Sequence, residues 1–226
     1  MAVNFSEVQT LSYSRSVENT NPLLLKKKPI YETAKRAFDI VASLAGLAVL
    51  SIPMTAISLA IFIDDPGNPF FVQERIGKDG KKFKIYKFRT MVKNAEQLRH
   101  SEDMLKDNEA NGPLFKVEND KRILRSGKIL RKMSLDELPQ LINILKGDMS
   151  VIGPRPFIPE EQDKLISERL LVKPGLSCYW QIMHTKDMPI EEQMMLDLQY
   201  LHDRSMSTDI KLIFTTVGVV LKKENC

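Results

Sequence analysis

The residues best suited to chemistry lie between Arg131 and Pro156, in the stretch RKMSLDELPQLINILKGDMSVIGPRP. Asp136 and Glu137 are adjacent carboxylates at the start of an expected helix, and Arg155 follows between Pro154 and Pro156. A residue before proline avoids the α region, so Arg155 is presented on extended backbone with little freedom left to lose. That suits a bidentate contact with phosphate. In the first turn of its helix, Asp136 would be held ionised by free N–H groups and the positive end of the dipole. The same helix end attracts phosphate oxygens. An ionised aspartate beside a phosphate is either a magnesium ligand or a nucleophile. Arg131, Arg155 and Lys87 are the cations available to offset the anionic charge. Each feature also has a plainer reading. Ser134-Leu135-Asp136-Glu137 matches the capping box, Ser-x-x-Glu before an apolar run. Pro154-Arg155-Pro156 is equally a turn with a surface arginine. The chain contains no P-loop, GxGxxG, HExxH, GxSxG or DxD pattern.

The apolar run from Ile40 to Ile63 says where such chemistry would take place. Its 24 residues carry no charge, and as one straight helix they would cover about 36 Å, enough to cross a bilayer core. The run starts too late for a secretory signal and lacks a small-residue cleavage site. Pro53, near its middle, removes an intrahelical hydrogen bond, and the Ser51 hydroxyl is placed to satisfy a freed carbonyl. Cations flank both ends: Lys26 to Lys28, Lys35 and Arg36 before it, and Arg75, Lys78, Lys81, Lys82, Lys84 and Lys87 after it. Positive flanks mark the cytoplasmic side. A helix that enters, breaks at Ser51–Pro53 and returns satisfies both flanks; a kinked spanning helix satisfies one.

Composition bounds the rest. The 226 residues, with 33 Lys+Arg against 29 Asp+Glu, allow one domain with a mild net charge of +4. Cys178 and Cys226 make no disulfide framework or zinc spacing, and three histidines make a His-based metal site a poor expectation. Residues 1–33 read as a flexible arm, 34–64 as the re-entrant membrane helix and 65–226 as the catalytic domain. Within that domain, Phe70–Glu74 and Lys82–Phe88 form an expected hairpin around Gly77–Gly80. Lys87 and Arg89 share a face with Phe83 and Ile85, an odd place for cations unless they meet an anion. Helices are expected over Lys93–Asp107, Ile123–Met133, Ser134–Leu145, Pro159–Leu171, Pro189–Leu201 and Asp209–Lys223. The apolar face of the last one (Ile210, Ile213, Phe214, Val217, Val220) reads as core. The expected fold class is therefore α+β, mostly helical, with a small β-hairpin.

These motifs together resemble the bacterial sugar transferase family, the monotopic polyprenol-phosphate phosphoglycosyl transferases. KRAFDI, FFVQERIGKDGKKFKIYKFRTM, SLDELPQL, LKGDMSVIGPRP and VKPGLSCYWQ carry the resemblance, and LDLQYL and TDIKLIF extend it towards the C-terminus. The match, over about Ala34 to Lys223, looks like the family's minimal form. It implies a monotopic protein at the bacterial inner membrane, catalytic domain facing the cytoplasm. It further implies that Asp136 attacks the sugar-linked phosphate of a nucleoside-diphosphate sugar, releasing nucleoside monophosphate. A polyprenol phosphate, such as undecaprenyl phosphate, then takes the phosphosugar, the first step of a surface glycan or exopolysaccharide. By the same resemblance Glu137 helps Asp136 hold Mg²⁺ and assists acceptor activation, Arg131 and Arg155 contact phosphate, and Lys87 and Asp197 are site residues. Membrane lipids are expected partners, a homodimer is possible, and nucleic acid is not expected because the cations cluster beside the membrane segment. The sequence departs from the family pattern in two places: Ile52 separates Ser51 from Pro53, and Ile182 to Lys186 replaces a Gly-Arg pair after Trp180-Gln181. An inactive scaffold and a transferase that moves the sugar without its phosphate are the competing readings. The intact Asp136, Glu137, Arg131 and Arg155 argue against the first, and the missing DxD against the second.

Overall fold

The computed structural model describes residues 27–95, 120–183 and 188–222. The expected arm over residues 1–26, the helix over Lys93–Asp107 beyond Ala95, and the departure at His184–Lys186 lie outside the described residues. Helix α1 runs from Pro29 to Asp64 and is followed by the antiparallel hairpin β1 (Phe70–Ile76) and β2 (Lys82–Phe88). Next come α2 (Arg125–Lys132), α3 (Gln140–Lys146), β3 (Ser150–Ile152), α4 (Pro159–Gln162), β4 (Gly175–Ser177), α5 (Tyr179–Met183), α6 (Ile190–Asp203) and α7 (Met206–Leu221). The hairpin is in the expected place, with Phe70 opposite Phe88 and Asp79 and Gly80 taking the positive φ that a tight reversal needs.

A parallel pair, β3 with β4, was not expected from the sequence. Three residues per strand are too few to show a period of two. Two glycines permit the close approach that builds it. A Cβ on Gly175 would lie 2.1 Å from Gly153 N, and one on Gly153 would lie 2.4 Å from Lys173 O. Around this pair Ile152, Cys178, Tyr200, Leu201 and Leu212 form one apolar core. A second joins Ile85, Ile144 and Met149 under the hairpin. The third joins Ile61 of α1 to Phe88, Leu124 and Leu130.

Helix α1 is fixed to the domain at both ends. Near its start, Lys35 Nζ lies 2.7 Å from Asp209 Oδ2, and Tyr31 OH donates to the same oxygen at 2.9 Å. The next residue, Arg36, donates to the Ile144 and Leu145 carbonyls at the end of α3, at 2.6 and 2.8 Å. Asp39, buried, accepts from Ser150 Oγ and Val151 N, both at 3.0 Å. At the far end, Asp64 Oδ2 accepts from the N–H and hydroxyl of Ser126 in the first turn of α2, and Asp65 pairs with Arg89. Between the ends, Gly46 packs on Leu141, and Met54 and Ile57 pack towards the Phe88–Leu130 core. These positions recur every three to four residues, as one helical stripe against the domain. The opposite face leaves Val41, Val49, Ile52, Leu59 and Ile63 exposed.

The expected break at Ser51–Pro53 is not a break in the helix. α1 stays helical through Pro53. Ser51 Oγ donates to the Ala48 carbonyl at 2.8 Å and Thr55 Oγ1 to that of Ser51 at 2.9 Å. The helix also begins at Pro29, a favoured first-turn position, so it takes in the last residues assigned to the arm. The C-terminal helix is a correction of a different kind. Leu212 is buried and Ile213 packs on the core, but Ile210, Phe214, Val217 and Leu221 form an exposed apolar stripe rather than core.

Candidate active site

Four separate segments bring Lys87, Arg131, Asp136, Glu137 and Arg155 to one cavity of about 580 Å³. β2 supplies Lys87 near its end. The last turn of α2 supplies Arg131, whose Nε donates to Thr90 Oγ1 at 2.9 Å. That contact is possible because α2 packs backbone to backbone on the exit of β2: a Cβ on Gly127 would lie 2.2 Å from Thr90 O. Asp136 and Glu137 sit in a 3₁₀ turn, Leu135–Glu137. Arg155 arrives on the extended segment after β3, as the flanking prolines require.

The capping box does not form. Ser134 has φ of 53° and ψ of 22°, left-handed geometry, and its side chain caps no helix N–H. The α-helix proper starts only at Gln140, so Asp136 is not in its first turn and the dipole does not hold the carboxylate ionised. The physical reason is Pro139, which fits the start of a helix and stops the 3₁₀ turn merging with α3. A non-glycine residue in left-handed geometry costs on the order of 1–3 kcal/mol and is a signature of functional turns. Here it turns both carboxylates towards the cations.

The two carboxylates have different surroundings. Glu137 Oε1 lies 2.7 Å from Lys87 Nζ and 3.4 Å from Arg155 Nη1. Burial alone would raise the Glu137 carboxyl, but Lys87 and Arg155 overcome it and hold it down to about 2. Asp136 makes no hydrogen bond or ion pair among the described residues. Burial pushes its carboxyl above the usual range, and Glu137 adds to this, while Lys87, Arg131 and Arg155 oppose it. Burial likewise pushes Lys87 below its usual range, against the pull of Glu137. One carboxylate is thus clamped, and its neighbour is half-buried with no hydrogen-bond or ion-pair partner among the described residues. The cations that share a face on β2 do meet anions: Lys87 meets Glu137, and Arg89 meets Asp65.

Asp197 is not brought to the cavity. It is fully buried, with Arg169 Nε donating to its Oδ2 at 2.8 Å. Burial pushes the Asp197 carboxyl up to about 6 against the pull of Arg169. Arg169 also donates to Gln162 Oε1 and to the backbone carbonyl of Arg155, and stacks 4.6 Å over Phe157. Asp197 therefore braces the segment that carries Arg155 and touches no solvent. Residues not singled out from the sequence also line the cavity: Arg75, which donates to Pro156 O at 3.2 Å, and Arg122, paired bidentately with Asp120. Arg75 was legible only as one more flanking cation.

The described residues hold no cluster of three His, Cys, Asp or Glu side chains of the kind that cages a metal. Mg²⁺ needs less: one or two carboxylates plus substrate phosphate oxygens and water suffice. Asp136 and the unbonded Oε2 of Glu137 fit that requirement.

The bacterial sugar transferase family description matches residues 30–223. The chain is 43% identical over 193 residues to the galactosyl transferase CpsE of Streptococcus agalactiae serotype III, covering 83% of this chain and 42% of that protein. It is 37% identical to the undecaprenyl-phosphate galactose phosphotransferase of Salmonella typhimurium, covering 84% of this chain and 41% of that one. With the exopolysaccharide production protein ExoY of Rhizobium meliloti the identity is 35%, over 85% of this chain and 88% of the relative. The chain thus spans less than half the length of the first two relatives and most of the third.

Proposed function

This chain belongs to the bacterial sugar transferase family, and from that premise we propose that it is a phosphoglycosyl transferase that loads a polyprenol phosphate. The observation that carries the reading is the pairing of an unbonded Asp136 with a clamped Glu137, facing one cavity with Lys87, Arg131 and Arg155. An Asp136 oxygen attacks the sugar-bearing phosphorus of a nucleoside-diphosphate sugar, with uridine the expected nucleoside. The bond to the bridging oxygen breaks, and nucleoside monophosphate leaves with the electron pair. A phosphate oxygen of the polyprenol phosphate, undecaprenyl phosphate by similarity to the Salmonella protein, then attacks the same phosphorus. Asp136 leaves as a carboxylate, and polyprenyl-diphosphate-sugar is formed. Stabilising the spread negative charge in both steps falls to Arg131, Arg155 and Lys87. Lys87 and Arg155 hold Glu137 ionised, and Glu137 in turn orients both cations towards the cavity. Mg²⁺, held by Asp136 and Glu137, would supply charge neutralisation at the diphosphate.

The membrane arrangement follows from α1. It is the one helix among the described residues long and apolar enough to cross a bilayer, yet both its ends are bonded to the same domain. A spanning helix would separate them by the bilayer. Immersion of the exposed face from one side, with both ends returning to the cytoplasm, satisfies the bonds and the cationic flanks together. The exposed stripe on α7 offers a second contact with the same surface.

The test is a panel of UDP-sugars incubated with detergent-purified full chain, undecaprenyl phosphate and Mg²⁺, with UMP and UDP assayed separately. UMP release that depends on Mg²⁺ supports phosphoglycosyl transfer and names the sugar. UDP release would make the protein an ordinary glycosyltransferase.

A further inference from the structure

A second cavity, of about 100 Å³, lies where the first turns of α1 meet the hairpin turn, β3, the segment Leu171–Lys173 and the end of α6. Its wall holds five cations, Lys35, Arg36, Lys78, Lys173 and Arg204, against two carboxylates, Glu32 and Asp39. These cations come from four segments far apart in sequence, so their convergence is a product of the fold rather than of a local charge run. Lys35 is neutralised by Asp209, and Arg204 Nη2 lies 3.7 Å from Glu32. Arg36 spends its fork on two helix-end carbonyls and has no carboxylate partner among the described residues. The Lys78 and Lys173 ammonium groups make no hydrogen bond or ion pair among the described residues. Arg36 Nη2 and Lys173 Nζ converge on one point, 3.3 and 3.4 Å from where a Cβ on Gly147 would stand. Gly147 has φ of 92°, so the backbone keeps that space clear. Asp39 and Asp148 attract Lys173, but burial, Arg36 and Lys78 together push its ammonium below the usual range. Like charges gathered in a partly buried pocket are destabilised unless an anion joins them.

We propose that this cavity is a recognition site for a phosphate group, and that its occupant is the phosphodiester headgroup of an anionic phospholipid. The site is separate from the catalytic cavity and shares no lining residue with it. Its position selects the lipid over the free ion. The cavity opens beside the first turns of α1, the helix whose outer face is exposed and apolar. Leu171 lines the cavity and is also exposed. A lipid phosphate among Arg36, Lys78 and Lys173 would lead its acyl chains out past Leu171 towards the membrane in which α1 is proposed to lie. Basic pockets at the cytoplasmic level of membrane helices recognise anionic headgroups by this chemistry.

The experiment is native mass spectrometry of the detergent-solubilised full chain, titrated with short-chain phosphatidylglycerol, phosphatidylcholine or inorganic phosphate. Phosphatidylglycerol is expected to bind one per chain and more tightly than phosphatidylcholine. Removing a cation near such a headgroup weakens binding by roughly fivefold, so K78Q/K173Q should weaken it about 30-fold. Leu171→Glu adds an anion at the exposed rim without removing any cation, and should weaken phosphatidylglycerol binding in the same direction. An unchanged affinity in both variants would overturn the site. Phosphatidylglycerol binding no tighter than phosphatidylcholine, or inorganic phosphate bound where lipid is not, would overturn the lipid assignment. None of these readouts needs turnover, so they stand or fall independently of phosphoglycosyl transfer.

Discussion

Lys87→Met isolates the electrostatics of the clamped carboxylate. The substitution removes the cation 2.7 Å from Glu137 Oε1, in a pair whose side chains are only 15% and 19% exposed. Glu137 would keep Arg155 at 3.4 Å, a weaker partner whose own side chain is 37% exposed. Breaking a fully buried pair costs about 3–5 kcal/mol. The remaining Arg155 contact, and the relief of burying the Lys87 ammonium, bring the expected loss to roughly 2 kcal/mol at neutral pH. For a chain of this size that is a fall of about 4–8 °C in Tm. In the wild type the Glu137 carboxyl is held at about 2, below its ordinary value of 4.5. Its contribution is therefore present above about pH 4.5 and lost as pH falls towards 2. Without Lys87, burial is opposed only by the weaker Arg155 contact, so the folded-state value moves up from about 2 and this contribution shrinks. The deficit of the variant should be largest at pH 7 and shrink towards pH 4. K87M/E137Q should recover most of it, since a neutral amide needs no cation. Thermal unfolding in detergent between pH 4 and 8 reads all three proteins. A double variant no more stable than K87M, or a deficit that grows on acidification, would refute the reasoning.

Three further outcomes are expected. Asp197→Asn leaves the buried Arg169 guanidinium without its counter-charge; stability should fall by roughly 2–3 kcal/mol, and misplacement of Arg155 should cut turnover by up to about 100-fold, measured as kcat beside Tm. Gly127→Ala puts a Cβ 2.2 Å from Thr90 O, so α2 must shift; a loss of about 1–3 kcal/mol is expected, with weaker donor binding (a raised KM) because Arg131 moves with the helix. Cysteines placed at the exposed Thr33 and Asn68, in a chain with Cys226→Ser and the buried Cys178 kept, should both react with a membrane-impermeant maleimide in inverted vesicles. Neither should react in right-side-out vesicles, and opposite accessibility would show a spanning α1.

Much of the site was legible because its chemistry is written in residue types. Lys87, Arg131, Asp136, Glu137 and Arg155 were named from charge, rigidity and family motifs, and the fold places all five at one cavity. The turn that presents the carboxylates was misread. Ser-x-x-Glu fits a cap by pattern, but whether Ser134 adopts left-handed geometry depends on Pro139 and on the cations opposite. Asp197 shows a different limit, since a carboxylate that touches substrate and one that braces a loop look alike in sequence. Its partner Arg169 stands 28 residues away and carried no signal of its own. The hairpin was readable from alternation and a GKDG turn, whereas the parallel pair of β3 and β4 rests on a glycine contact between distant segments. The long apolar helix announced its length, but that both ends bind one domain is a tertiary fact, visible only once Asp209 and Ser126 are in place.

The central claim is that Asp136 carries the phosphosugar, and intact-protein mass spectrometry tests it most directly. The wild-type chain, given its active nucleoside-diphosphate sugar and Mg²⁺ without polyprenol phosphate, should gain the mass of one phosphosugar, mapped to the peptide containing Asp136. Addition of undecaprenyl phosphate should discharge it, and Asp136→Asn should never acquire it while keeping its Tm. An active enzyme with no adduct, or an adduct that persists in Asp136→Asn, would contradict the account.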